Sequence, residues 1–98
     1  MAKILFTAVG RKPYHRIVLW IGSEIVGELV RRRMSDGMSK WLVDGNLDFF
    51  LRRVHGFNVS TLVEALKDVK EFDDVCKVTC RTLTEMDKGR GSRQWRQE

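Results

Sequence analysis

The first third of the chain carries two short segments whose residues are typical of β-strands. Residues 3–9 and residues 16–22 are rich in β-branched and aromatic side chains, and a turn separates them. They predict an antiparallel hairpin. Residues 25–30 fit either a third strand or a helix capped by Ser23, and Gly27 favours the strand because glycine inside a helix costs about 1 kcal/mol. The N-terminal part is therefore expected to be a hairpin or a meander.

The spacing of apolar residues becomes helical in the middle of the chain. Residues 47–55 predict a helix with Asn46 as its N-cap and Gly56 after its last turn. Its apolar stripe consists of Leu47, Phe50, Leu51 and Val54. A second helix is expected to begin near Ser60 or Thr61. Its apolar face consists of Leu62, Ala65, Leu66 and Val69.

The last third of the chain predicts one more strand and then a tail. Residues 75–84 alternate between apolar and polar, which indicates a late strand, and a continued helix is the alternative. From Asp87 the apolar content falls, so residues 87–98 are expected to form a flexible basic tail. The predicted fold is a single α+β domain over residues 1–86.

Composition restricts the function more than it defines it. The 98 residues carry a net charge of +5, with +5 on residues 1–33, −2 on residues 34–86 and +2 on residues 87–98. Such a chain could bind nucleic acid or an acidic protein surface. No stretch approaches the ~18 apolar residues that span a membrane, and we expect a cytoplasmic protein without membrane contact.

The residues give little support for catalysis or for a bound cofactor. Cys76 and Cys80 are expected to be reduced thiols, and their spacing and that of His15 and His55 do not match a zinc site. The glycines form no phosphate-binding or dinucleotide-binding motif. We therefore expect a protein that is not an enzyme and that holds no metal or cofactor.

Basic residues beside an aromatic ring make the first turn a candidate for partner binding. The candidates there are Arg11, Lys12, Pro13 and Tyr14. Such a loop suits single-stranded nucleic acid or a pocket in a protein, and a plain hairpin loop is the alternative. The run Arg31, Arg32 and Arg33 also has two interpretations. It is either the solvated end of a secondary-structure element or a contact to phosphate or an acidic surface.

The predicted tail is the second candidate for partner binding. It combines one large apolar side chain with cations, namely Arg90, Arg93, Trp95 and Arg96. Tryptophan and arginine are enriched among the residues that dominate binding energy at interfaces. The alternative is that Trp95 folds back onto the domain.

The size of the chain, its basic charge and the run ILFTAVGRKPYHR at residues 4–16 resemble the small anti-RecBCD proteins of lambdoid Salmonella phages. The resemblance implies a phage-encoded protein in the host cytoplasm that binds RecBCD through its RecC subunit. It also implies that binding alters the nuclease and recombination activity of the complex. A basic chain fits this role, since mimics of DNA are acidic. The alternative function is that of a small basic nucleic-acid-binding protein.

Overall fold

Five strands form one sheet in the order β4-β3-β2-β1-β5. The structure is a computed structural model that describes residues 2–88 and 94–98. Its strands are β1 (Ala2–Val9), β2 (Arg16–Ile21), β3 (Glu24–Arg33), β4 (Ser39–Val43) and β5 (Trp95–Gln97). Neighbouring strands are antiparallel except β5, which runs parallel to β1. The predicted α+β class is confirmed.

The first four strands form a meander, because each turn is short. Residues 25–30 belong to β3, so the strand that Gly27 favoured is confirmed. Gly27 has a φ of 148°, and a Cβ there would lie 2.4 Å from the Cβ atom of Leu47. The glycine therefore lets the first helix approach the sheet backbone closely.

Within residues 2–88 and 94–98, three helices lie on one side of the sheet. They are α1 (Gly45–Phe49), which continues into a π-helical segment (Phe50–Val54), then α2 (Val59–Ala65) and α3 (Phe72–Met86). The predicted N-cap of the first helix lies too late in the sequence. Asp44, and not Asn46, caps α1 by accepting from the Leu47 N–H at 3.1 Å. Helix α2 begins at Val59, one residue before the predicted start, and Asn58 caps it by accepting from the Ser60 N–H at 3.1 Å.

The prediction of a strand at residues 75–84 is wrong, because this segment lies inside α3. The helix buries Val75, Cys76, Thr79, Cys80 and Leu83 on one side, which is a helical stripe and not the alternating set. Asp73 and Asp74 lie in the first turn of α3, where a negative charge is favourable. The late strand exists, but it is β5.

Trp95 belongs to the core and not to a flexible tail. It is only 3% exposed, and its indole N–H donates to the carboxylate of Asp87. Its ring contacts Phe50, His55 and Phe57 edge-on. The predicted boundary near Asp87 is therefore wrong for residues 94–98, because burying a large aromatic ring outweighs the polar character of its neighbours. Residues 89–93 of the predicted tail lie outside the described residues.

Candidate partner-binding surface

Strand alternation gives the sheet a second face, which the helices do not cover. Ile4 and Phe6 of β1 are buried under the helices, so Leu5 and Thr7 point to the opposite side. We call this side the open face. It carries the side chains of Lys3, Leu5, Thr7, Val9, Arg16, Val18, Trp20, Ile25, Glu28, Val30, Arg32, Lys40, Leu42 and Arg96.

The centre of the open face is apolar. Leu5 lies opposite Trp20, and Val30 lies opposite Leu42. Leu5 is 38% exposed although it is a large aliphatic side chain. The Trp20 indole N–H donates to Thr7 Oγ1 at 2.9 Å, which holds the ring on this face. The result is a patch of aliphatic side chains around one partly buried aromatic ring.

One ion pair crosses the apolar centre. The Arg16 guanidinium donates to both carboxylate oxygens of Glu28, on the neighbouring strand. The hydrogen bonds and charge of Arg16 lower the pKa of Glu28, and Glu28 in turn raises the pKa of Arg16. Among the residues of the five strands, Glu28 is the only acid that the register places on the open face, and its charge is already matched.

Two pairs of like charges lie at opposite ends of the open face. Arg32 of β3 faces Lys40 of β4, and Lys3 of β1 lies in register with Arg96 of β5. All four side chains are exposed. Like charges directly opposite one another destabilise a sheet. The two pairs place four positive charges at the rim of the apolar patch.

The first turn contacts the helices more closely than its sequence indicates. Arg11, Lys12 and Pro13 are exposed, but Tyr14 is half-buried and packs edge-on against Phe72 of α3 at 6.1 Å between ring centroids. The turn borders an open groove of about 770 Å³ beside the start of α3. One edge of the Tyr14 ring is therefore packed on the domain, whereas its three neighbours in the turn are exposed.

The candidates of the predicted tail separate from one another. Trp95 is buried, so the reason for assigning it to a partner is lost. Arg96 is exposed and belongs to the open face beside Lys3. Arg90 and Arg93 lie outside the described residues. Of the four tail candidates, Arg96 is the one that the described part of the chain places on the proposed surface.

The two cysteines face the core, one helical turn apart on α3. Both are buried and unpaired to each other, and burial raises the pKa of Cys76 to about 12 and that of Cys80 to about 11. The thiols are therefore protonated near neutral pH and are poor nucleophiles and metal ligands. Within residues 2–88 and 94–98, no three histidine, cysteine, aspartate or glutamate side chains are grouped so as to hold a metal ion.

The sequence missed the open face because its residues are spread over five strands. Strands with apolar residues on both sides, such as Phe6 and Leu5 in β1, were the one sequence signal for a second apolar face. The like-charge pairs can be recognised only from the strand register, which the sequence does not provide.

No protein-family model, curated protein or solved structure matches this chain. No helix in the described ranges has the length and apolar content required to cross a membrane.

Proposed function

We propose that this chain is a binding protein whose open face docks on an acidic surface of another protein. The observation that carries the proposal is the apolar centre of this face with like-charge pairs at both ends. Protein interfaces commonly combine an apolar centre with a polar rim, and arginine is frequent among their dominant residues. Acidic groups of a partner would relieve the repulsion within both pairs of cations.

The composition of the open face favours a protein over a nucleic acid as the partner. Single-stranded nucleic acids bind by stacking their bases on exposed aromatic rings along a basic groove. The open face has one aromatic residue, Trp20, which is half-buried among aliphatic neighbours. Leu5, Val9 and Leu42 provide apolar contact area without a stacking surface.

The resemblance of residues 4–16 to phage anti-RecBCD proteins supplies the first partner to test. We propose that the chain acts in the host cytoplasm, binds the RecC subunit and thereby changes the nuclease and recombination activity of RecBCD. The positive charge supports contact with an acidic protein surface and gives no support for mimicry of DNA. The open face would then provide the contact area.

Two charge-reversal variants with the same net charge test this proposal. The first combines Lys3→Glu with Arg96→Glu on the open face. The control combines Lys77→Glu with Arg81→Glu on the exposed side of α3, where both residues are exposed. Binding to purified RecBCD is measured by biolayer interferometry at two salt concentrations, with duplex and single-stranded DNA as separate ligands.

We expect the open-face variant to bind RecBCD at least about tenfold more weakly than the wild type, equivalent to about 1.4 kcal/mol. The control variant should bind within about twofold, because Lys77 and Arg81 lie on α3, outside the open face, where salt screens their effect on a partner docked on the sheet. Equal losses in both variants would contradict a defined docking face. Tight DNA binding with a steep salt dependence, and none to RecBCD, would favour the nucleic-acid alternative.

A further inference from the structure

The outer edge of β4 has backbone groups that point away from the sheet. The Met34 N–H donates to the Met38 carbonyl at 2.7 Å, and the Asp44 N–H donates to the Glu28 carbonyl at 3.1 Å. These two bonds fix which residues of β4 pair with β3. The backbone groups of Lys40 and Leu42 therefore bond to β3, and the N–H and C=O groups of Ser39, Trp41 and Val43 point away from it.

No hydrogen bond within the described residues reaches these outward groups. Trp41 is buried beside α2, and its indole N–H donates to the Val69 carbonyl at 2.7 Å. Ser39, in contrast, is exposed and marks the accessible end of the edge. Unpaired backbone groups at a sheet edge are a template for another strand.

A groove follows this edge on the side of α2. It has a volume of about 340 Å³ and is lined in part by Met34, Met38 and Val63. Met34 and Met38 are exposed, and methionine side chains adapt easily to different partners. Lys67, in the turn after α2, also lines it, together with the acidic residues Asp36, Glu64 and Asp68. The two methionines and Val63 therefore offer apolar contact beside free backbone donors and acceptors, and the acidic side chains disfavour negative charge on this side of an incoming segment.

We propose that β4 accepts an extended segment of another protein as an additional strand at its Ser39 end. Residues of the segment that lie beside Lys40 share the open face with Arg32, so acidic side chains fit there. The residues that alternate with these in the segment face α2, where Val63 favours an apolar side chain. The segment is thus expected to alternate between acidic and apolar residues.

Charge argues against a second copy of this chain as the occupant. Two β4 strands paired about a two-fold axis would bring both copies of Arg32 and Lys40 together on one face. Like charges that face one another across two paired strands destabilise the pairing. The inference uses the edge of the sheet and its backbone, and it does not depend on what the centre of the open face binds.

A synthetic peptide in which glutamate and valine alternate is the probe for this edge. Binding to the full chain is followed by amide chemical shifts and by hydrogen exchange of the Ser39 amide. Two control peptides are used. One alternates lysine with valine, and the other is the glutamate peptide with methylated backbone nitrogens, which cannot donate to a strand.

The matched protein variants are Ser39→Pro and Ser39→Ala. Proline removes the outward N–H of residue 39 without removing a bond between β3 and β4, and alanine keeps that N–H. Thermal unfolding of both variants establishes that they are folded. If Ser39→Pro does not fold, the methylated peptide still tests the same backbone pairing on the wild type.

We expect the glutamate peptide to slow exchange of the Ser39 amide and to lose about tenfold in affinity on Ser39→Pro, with Ser39→Ala within about twofold. The lysine and methylated peptides should bind at least about tenfold more weakly. Equal binding of the methylated peptide, or no binding of the glutamate peptide, would overturn the inference. Self-association of the wild type that Ser39→Pro abolishes would identify a second copy as the occupant and overturn it too.

Discussion

The two edges of the sheet differ in whether other parts of the domain bond to their outward backbone groups. At the β5 edge, the Trp95 N–H donates to Thr84 Oγ1 of α3 at 2.9 Å, and the Trp95 ring lies in the core. At the β4 edge, nothing in the described part of the chain bonds to the outward backbone of Ser39. One edge is therefore covered by a helix of the same chain, and the other remains able to pair.

This difference separates structural residues from residues available for binding. The strand that looked like a free tail stabilises the domain, whereas a strand with no notable motif borders both the open face and a groove. Natural proteins usually protect the edges of their sheets, so an unprotected edge is informative. The following variants test whether the two edges differ as described.

Replacement of Trp95 should have the largest effect. We expect Trp95→Ala to lower the free energy of unfolding by about 3–5 kcal/mol, because it leaves a cavity and removes the donor to Asp87. Urea denaturation measures the change. Trp20→Ala on the open face is the matched control and should cost clearly less. Similar costs for the two substitutions would show that the open face is as well packed as the core.

Proline substitutions test the direction of the backbone groups of β4. Lys40→Pro removes an N–H that bonds to β3 and should cost about 2–3 kcal/mol. Ser39→Pro should cost less than about 1 kcal/mol, because its N–H points outward. Thermal and urea unfolding provide both values. A larger cost at Ser39 than at Lys40 would mean that the inferred pairing is shifted by one residue.

Loss of the Thr84 hydroxyl should partly open the β5 edge. Thr84→Val preserves the shape of the side chain but removes the hydroxyl that accepts from the Trp95 N–H, which should cost about 1–2 kcal/mol. The control is Thr61→Val at an exposed position of α2, with an expected change within about 0.5 kcal/mol. Faster hydrogen exchange at the Trp95 amide in Thr84→Val is the direct measurement. Unchanged exchange at the Trp95 amide would contradict the claim that the Thr84 hydroxyl protects the β5 edge.

The smallest effect concerns the like-charge pair beside the open edge. Lys40→Glu places a carboxylate opposite Arg32 and should raise the free energy of unfolding by about 0.2–1 kcal/mol. The same variant should weaken binding to an acidic partner, so stability and affinity should change in opposite directions. Arg53→Glu, which has no cross-strand neighbour, is the control for net charge. A less stable Lys40→Glu variant would mean that the pair is not repulsive in the folded protein.

The sequence predicted what local patterns determine. The hairpin, the third strand favoured by Gly27 and the helix ending before Gly56 follow from residues close in sequence, and Gly56 has a φ of 67° as a left-handed cap requires. The segment at residues 75–84 is ambiguous in sequence because Cys76 and Cys80, four residues apart, share one side of either a strand or a helix. The pairing of β5 with β1 depends on contacts across nearly the whole chain, and no local pattern records it.

The candidate surface was predicted less well than the fold. Arg96 and Arg32 were noticed as cations, but their facing partners Lys3 and Lys40 become visible only through the strand register. The sequence alone does not decide between binding and burial for Trp95, because tryptophan is common both in cores and at interfaces. The sequence around it contains no second large apolar residue that would have indicated burial.

The parallel pairing of β1 with β5 also determines how the domain resists a pulling force. The two ends of their ladder are held by bonds from the Ala2 N–H to the Gln94 carbonyl and from the Glu98 N–H to the Ile4 carbonyl, each 2.8 Å long. A force applied between Ala2 and Glu98 would slide the two strands along one another and load both bonds at once. Extension from these two points would therefore begin with a shear event, and its rate would report directly on the unfolding barrier.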